Sequence, residues 1–183
     1  MDNFALKIGR SFMAYIFLKA VKGMTQATTA FGAAYSTNGI TPTLFGTLRE
    51  RVSAANGGMN VVAIGTAVAL SNVTLQGNFQ VEIGEEMNKV GYLDQYLGVP
   101  LVALNNVLVP GTTNTSATLV LPDNIIYMIP VGGTRPVKIV FEGNEISVSF
   151  NPDTTSDRRY GISVEMRVGV AAICGSKYGT ITL

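Results

Sequence analysis

The 183-residue chain contains no histidine and a single cysteine, Cys174. Without histidine, Ser-His-Asp and Cys-His catalysis are removed, along with the commonest zinc ligand. A lone cysteine can form no disulfide within the chain. Placed at the end of an apolar strand, Cys174 reads as a buried, inert thiol. Charge is scarce too: Asp, Glu, Lys and Arg make up 14% of the residues, with a formal net charge of +1. That balance leaves no electrostatic footprint for nucleic acid, and there is no basic block or acidic tail. Walker-type lysine motifs, a strand-coupled GxGxxG and Gly-x-Ser-x-Gly are all missing. Nothing in the residue inventory points to a catalyst, a cofactor or a metal.

What the chain does have is apolar surface. Hydrophobic residues reach 47%, and the mean hydropathy is +0.31. Low charge with many apolar residues suits a protein that buries much of its surface against copies of itself. Residues 3–23 predict a helix capped by Asp2 or Asn3 and stopped at Gly23. Phe4, Ile8, Phe12, Tyr15, Phe17, Leu18 and Val21 form its apolar side; Lys7, Arg10, Lys19 and Lys22 form its polar side. Such a helix either packs on the carboxyl-terminal strands or lies, as a basic amphipathic element, on a membrane surface. It is too short and too interrupted by lysine to span a bilayer. Its apolar centre, residues 12–18, also ends at Lys19 without a small-residue cleavage site of the signal-peptide kind.

Residues 43–55 predict a second helix after Pro42, closed by Asn56-Gly57-Gly58. Residues 60–65 are a short apolar run of buried-strand type, and Thr66 caps a short helix through Leu70. Residues 80–96 carry Glu82, Glu85, Glu86 and Asp94. Glu82 and Glu86 would share a helix face, but with Gly84 between them and no histidine, a solvated helix explains them better than a metal site. A turn at residues 96–98 leads into a buried strand to Leu104, and residues 109–116 form a polar loop. Residues 119–130 read as strand, Pro-Asp-Asn turn and strand. Residues 136–141 and 145–150 read as hairpin arms joined by Glu142-Gly143-Asn144.

A charged turn follows, with Asp153, Asp157, Arg158 and Arg159. Arg158 and Arg159 beside two aspartates could hold a phosphate, but a surface salt-bridge loop is the simpler account. Residues 160–173 then form one long strand. Ile162, Val164, Met166, Val168 and Val170 alternate with Ser163, Glu165, Arg167 and Gly169, which predicts Val164, Met166 and Val168 facing the core. Gly175-Ser176-Lys177 turns the chain into a second strand, residues 178–183. A helix–strand–helix stretch followed by a β-rich tail makes the fold class α+β.

Several of these features arrive in an order that resembles tailed-phage major capsid proteins of the Hong Kong 97 type, in particular their carboxyl-terminal two-thirds. Gly98-Val99-Pro100 before a strand and Leu121-Pro122-Asp123-Asn124 before Ile-Tyr carry most of it, with the charged loop, the Glu-x-Arg strand and the closing Tyr-Gly turn. The resemblance implies a spine helix at residues 3–23. It implies a peripheral-type domain of residues 1–42 and 151–183 and an axial-type domain of residues 43–150. It would place Asp153, Asp157, Arg158 and Arg159 in a loop meeting neighbours near three-fold points. An axial hairpin or the loop with Pro110, Gly111, Thr112, Thr113 and Asn114 would lie near the capsomer axis.

The implied function is a non-enzymatic subunit of an icosahedral capsid that assembles around the genome. Its partners would be copies of itself in pentamers or hexamers, with scaffolding and portal proteins, non-specific DNA contact at most, no membrane and no cofactor. Its location would be the virion capsid, and the host cytoplasm during assembly. Encapsulin compartments share the fold and remain the alternative, beside the membrane-surface module. The family's extended amino-terminal arm and long hairpin loop have no counterpart before Thr25. The chain is therefore expected to be part of a longer product, folding on its own but remaining a monomer or a small ring.

Overall fold

The computed structural model describes residues 2–24, 40–74, 94–109, 117–133, 135–152 and 160–183. The two-residue and 3.6-residue periods of the sequence resolve there into one mixed sheet, three helices and a separate two-stranded ribbon, an α+β architecture.

Helix α1 runs Asp2–Gly23, close to the predicted span. Helix α2, Pro42–Ala55, begins at Thr41, whose extended backbone lets its hydroxyl accept the Leu44 N–H at 3.2 Å. Pro42 occupies the first turn, where a missing N–H costs nothing. At the other end Gly57 and Gly58 take φ of +71° and +81°, and the Gly58 N–H reaches back to the Ser53 carbonyl at 2.8 Å. Helix α3, Ala67–Thr74, starts where the sequence placed it: the buried Thr66 hydroxyl accepts the Ala69 N–H at 3.2 Å.

The main sheet comprises β1 (Val61–Gly65), β2 (Gln95–Tyr96), β3 (Val99–Ala103), β4 (Ile125–Pro130) and β7 (Gly179–Thr182), in the order β2-β3-β1-β4-β7. β1 runs parallel to β3 and antiparallel to β4, and β4 is antiparallel to β7. Both faces are covered, and alternate residues serve different cores. Val61, Ala63, Leu101, Ile126, Met128 and Ile181 pack with Phe45, Leu48 and Val52 of α2 and Leu70 and Val73 of α3. Ile64 and Tyr127 face the other way, into a cluster with Leu18, Val21, Met24, Val120, Leu121 and Tyr178. Period-two alternation in β1 and β4 thus assigns one set to α2 and α3 and the other to the end of α1.

The ribbon is β5 (Val137–Pro152) paired antiparallel with β6 (Tyr160–Ala172), and α1 lies against both strands. Here the structure corrects the expected hairpin. Glu142-Gly143-Asn144 is not a turn; β5 runs through it. Glu142 pairs with Arg167 and Ser147 with Glu165, so β5 advances five residues while β6 advances two, and three extra residues bulge from β5. The turn chemistry of that tripeptide is overridden because β6 supplies partners on both sides of the break.

Further expectations shift as well. Leu119–Leu121 is not a strand arm of β4; Leu119 forms an isolated bridge to Leu108. β7 forms as the expected second strand, and it pairs with β4. Gly175–Lys177 forms a 3-10 turn that carries the chain from the ribbon to the main sheet. On β6, Val168 is half-buried and Val170 is 39% exposed; among the described residues α1 is the helix that lies against the ribbon. Val164 and Met166 lie outside the residues whose side chains are described. Cys174 is half-buried rather than buried, since it stands where the ribbon ends and before the sheet begins. The solvated helix expected between Gln80 and a turn at residues 91–93 falls outside the described residues; Gln95 and Tyr96 form β2.

Candidate assembly surface

The residues singled out for intersubunit roles lie outside the described residues. These are Asp153, Asp157, Arg158 and Arg159, and Pro110, Gly111, Thr112, Thr113 and Asn114. The structure does describe the stems that carry them. Pro152 and Tyr160 are register partners, so residues 153–159 join the ends of β5 and β6 at the tip of the ribbon. Residues 110–116 are closed at their base by the Leu108–Leu119 bridge and by the Val109 N–H donating to the Thr118 carbonyl at 2.8 Å. The two segments therefore leave from different places, one from the ribbon tip and one from the main-sheet unit.

The second stem is braced by a residue that sequence reasoning missed. Asn106 donates from Nδ2 to the Leu121 carbonyl at 2.8 Å, and its Oδ1 accepts the Leu121 and Val107 N–H groups, both at 3.0 Å. One side-chain amide thus replaces a rung of β-ladder and holds residues 106–108 beside 119–121. The Asn105-Asn106 pair between two apolar runs is the sequence signal, and it does not reveal the partner fifteen positions away.

The β2–β3 turn is a third fixed point. Leu97 and Gly98 both have positive φ, +47° and +75°, as a two-residue hairpin of the right hand requires. Arg49 of α2 donates from Nη1 to the Leu97 carbonyl at 2.9 Å, tying the turn to the helix. Behind it, Tyr96 meets Phe45 edge to face with ring centroids 5.0 Å apart, and burial pushes the Tyr96 phenol pKa upward.

The ends of the chain are locked together at the opposite face. Tyr178 is fully buried and its hydroxyl donates to the Met24 carbonyl at 2.5 Å, just past the end of α1. Burial pushes its pKa up to about 12. Next to it, Lys177 donates from Nζ to the Ala55 carbonyl, and Asn56 donates from Nδ2 to the Lys177 carbonyl at 2.9 Å. The ammonium lies at the carboxyl end of α2, where the exposed carbonyls favour positive charge.

Surface chemistry is where the structure adds most. Large apolar side chains stay exposed on the elements that carry the stems: Leu108 and Leu119 on the main-sheet unit, Val140, Phe141 and Val170 on the ribbon, and Leu6, Met13 and Phe17 on α1. Phe17 was expected on the buried side of α1; it is 49% exposed. Burial along α1 is concentrated towards its end, at Ile16, Leu18, Ala20 and Val21, where the helix meets the sheet. Among the described residues no group of three or more acidic or cysteine side chains could hold a metal, and no helix is long and apolar enough to cross a membrane. The arrangement offers rigid scaffolds, braced loop stems and uncovered apolar surface, which is the chemistry of association.

Comparison with known proteins gives one family match. The family described as SPbeta prophage-derived putative capsid protein YonB matches residues 1–182. No curated protein matches the chain.

Proposed function

The chain belongs to the YonB capsid-protein family, and from that premise we propose that it builds a phage capsid shell by association with copies of itself. It is a structural subunit and not an enzyme. The observation that carries this is the family match across residues 1–182. Composition agrees with it: a charged fraction of 14% and a net charge of +1 leave little electrostatic repulsion between copies. Shells of this kind arise by repeating complementary contacts under closed symmetry, without chemistry at any residue.

The finer reading is a Hong Kong 97-type subunit. In it α1 is the spine helix, supported by its position against β5 and β6. Residues 1–42 and 151–183 form the peripheral-type domain and residues 43–150 the axial-type domain. The ribbon-tip segment with Asp153, Asp157, Arg158 and Arg159 meets neighbours near three-fold points. The segment with Pro110, Gly111, Thr112, Thr113 and Asn114 lies near the capsomer axis. The stems that fix both segments are what support these placements. Partners are pentamers or hexamers of the same chain, with scaffolding and portal proteins, in the host cytoplasm during assembly and in the virion afterwards.

The test is light scattering with negative-stain electron microscopy on the purified protein across a concentration series. Five- or six-fold rings, or closed particles, are expected. A protein that stays monomeric at every concentration overturns the reading.

A further inference from the structure

Helix α1 presents a stripe that its own chain leaves uncovered. Leu6, Met13 and Phe17 are 52%, 49% and 49% exposed. Spacings of seven and four put them on one helix face, and Arg10 lies between them on the same face. β5 and β6, which lie against α1, add Phe141 and Val170 at 48% and 39% exposure. Phe141 pairs with Val168 and Ile139 with Val170, so Phe141 and Val170 are diagonal neighbours on one face of the ribbon. Five apolar side chains at roughly half exposure leave on the order of 400 Å², about half of the ~800 Å² each partner gives to a standard interface.

Charge on the same unit is one-sided. α1 carries Lys7, Arg10, Lys19 and Lys22 against Asp2, a net +3. The rest of the chain holds nine basic and eleven acidic residues, a net of −2. A contact of α1 with α1 about a two-fold axis would bring together two helices that each carry a net +3. Like charges brought together in an apolar contact are strongly disfavoured.

Resting on the shell reading above, we infer that the Leu6–Met13–Phe17 stripe and the exposed ribbon face are an interface filled by a second copy of this chain, and that the contact is head to tail. The α1 unit of one copy packs on a part of the next copy other than its α1. Basic α1 then meets the remainder of the chain, whose net charge is −2. A head-to-tail contact also generates a ring wherever its rotation closes, whereas a two-fold contact stops at a dimer.

The experiment compares three proteins by sedimentation, light scattering and electron microscopy: the wild type, Met13→Asp/Phe17→Asp, and Met13→Cys in a Cys174→Ser background. Because the two substituted side chains are half exposed, the aspartate variant is expected to melt within a few degrees of wild type and to need at least tenfold more protein to associate. If it fails to fold, Met13→Gln/Phe17→Gln is read in its place, with the same expectation. Oxidation of the cysteine variant is expected to give no α1–α1 disulfide dimer. Association of the folded stripe variants at wild-type concentrations, or a near-complete Met13→Cys dimer, overturns the inference while leaving the shell reading standing. Binding of a non-associating wild type to phosphatidylglycerol vesicles, lost in the stripe variants, assigns the surface to a membrane and overturns both. A wild type that neither associates nor binds vesicles also overturns both.

Discussion

Adding one methyl group at Gly179 probes how tightly β7 is held beneath α2. A Cβ built there would lie 2.5 Å from Leu48 Cδ1, 3.0 Å from Leu48 Cγ and 3.1 Å from Val52 Cγ2. Carbon atoms prefer separations of about 3.5–4.0 Å, so the overlap with Leu48 is close to 1 Å. Leu48 is 1% exposed and Val52 fully buried, so neither side chain has space to swing into. Overpacking of this kind costs about 1–3 kcal/mol, offset by up to about 1 kcal/mol because alanine loses less backbone freedom on folding than glycine. Gly179→Ala is thus expected to destabilise by about 1–2 kcal/mol, lowering the melting temperature by about 2–8 °C for a chain of this length.

A double-mutant cycle separates the clash from other causes. Leu48→Ala alone opens a cavity at a cost of about 2–5 kcal/mol. In that background the new methyl has room, so Gly179→Ala should cost almost nothing, giving a coupling of about 1–2 kcal/mol. Unfolding is followed by circular dichroism at a fixed, dilute concentration, because association would shift the midpoint. If Gly179→Ala costs the same in both backgrounds, or stabilises the wild-type background, the reasoning fails.

Tyr178→Phe removes the hydroxyl from the Met24 carbonyl and should cost about 1–3 kcal/mol in urea unfolding. In wild type the folded pKa of Tyr178 lies near 12, above the ordinary phenol value of 10, so its contribution is complete below pH 10 and is lost as pH rises towards about 12. The Phe variant should lack that part of the alkaline loss, which a pH series of melting curves reads directly. Thr66→Ala deletes the α3 cap at a buried site and should destabilise by about 1–2 kcal/mol by thermal melting. Leu97→Asn relieves a leucine held at φ +47° and should raise stability by about 0.5–1 kcal/mol in chemical denaturation, since asparagine tolerates that backbone and the Leu97 side chain is 46% exposed.

Features encoded locally were legible in the sequence. Thr66 announced α3, Asn56-Gly57-Gly58 ended α2, and the apolar runs of β1, β3 and β4 stood where the pattern placed them. Features decided by a distant partner were not. Glu142-Gly143-Asn144 has the composition of a hairpin turn, yet pairing with β6 on both sides makes it a bulge. The alternation in β6 correctly predicts a strand, but it reports only what the residues would bury. Whether a helix, a second sheet or a neighbouring subunit covers Val170 is a property of the assembly. For the same reason Phe17 was misjudged: its spacing fits a buried helix face, and the sheet covers only the later part of α1. The candidate loops were legible as polar segments, while the brace at Asn106 was not, because its partner lies in a different part of the chain.

The lock between Tyr178 and Met24 joins positions 154 residues apart. Residues 178–183 therefore emerge from the ribosome after every element they hold in place. Until they do, β4 has an open edge and the Met24 carbonyl lacks the hydroxyl that donates to it. A nascent chain can form α2, α3 and most of the sheet and pack the end of α1 on Ile64, Val120, Leu121 and Tyr127, but it lacks the hydroxyl that ties α1 to the closing strand. Synthesis itself then acts as a clock: the buried hydrogen bond at the end of α1 forms only when translation has passed Tyr178. An interrupted product lacking this stretch carries an α1 without that hydrogen bond and a β4 with an unpaired edge.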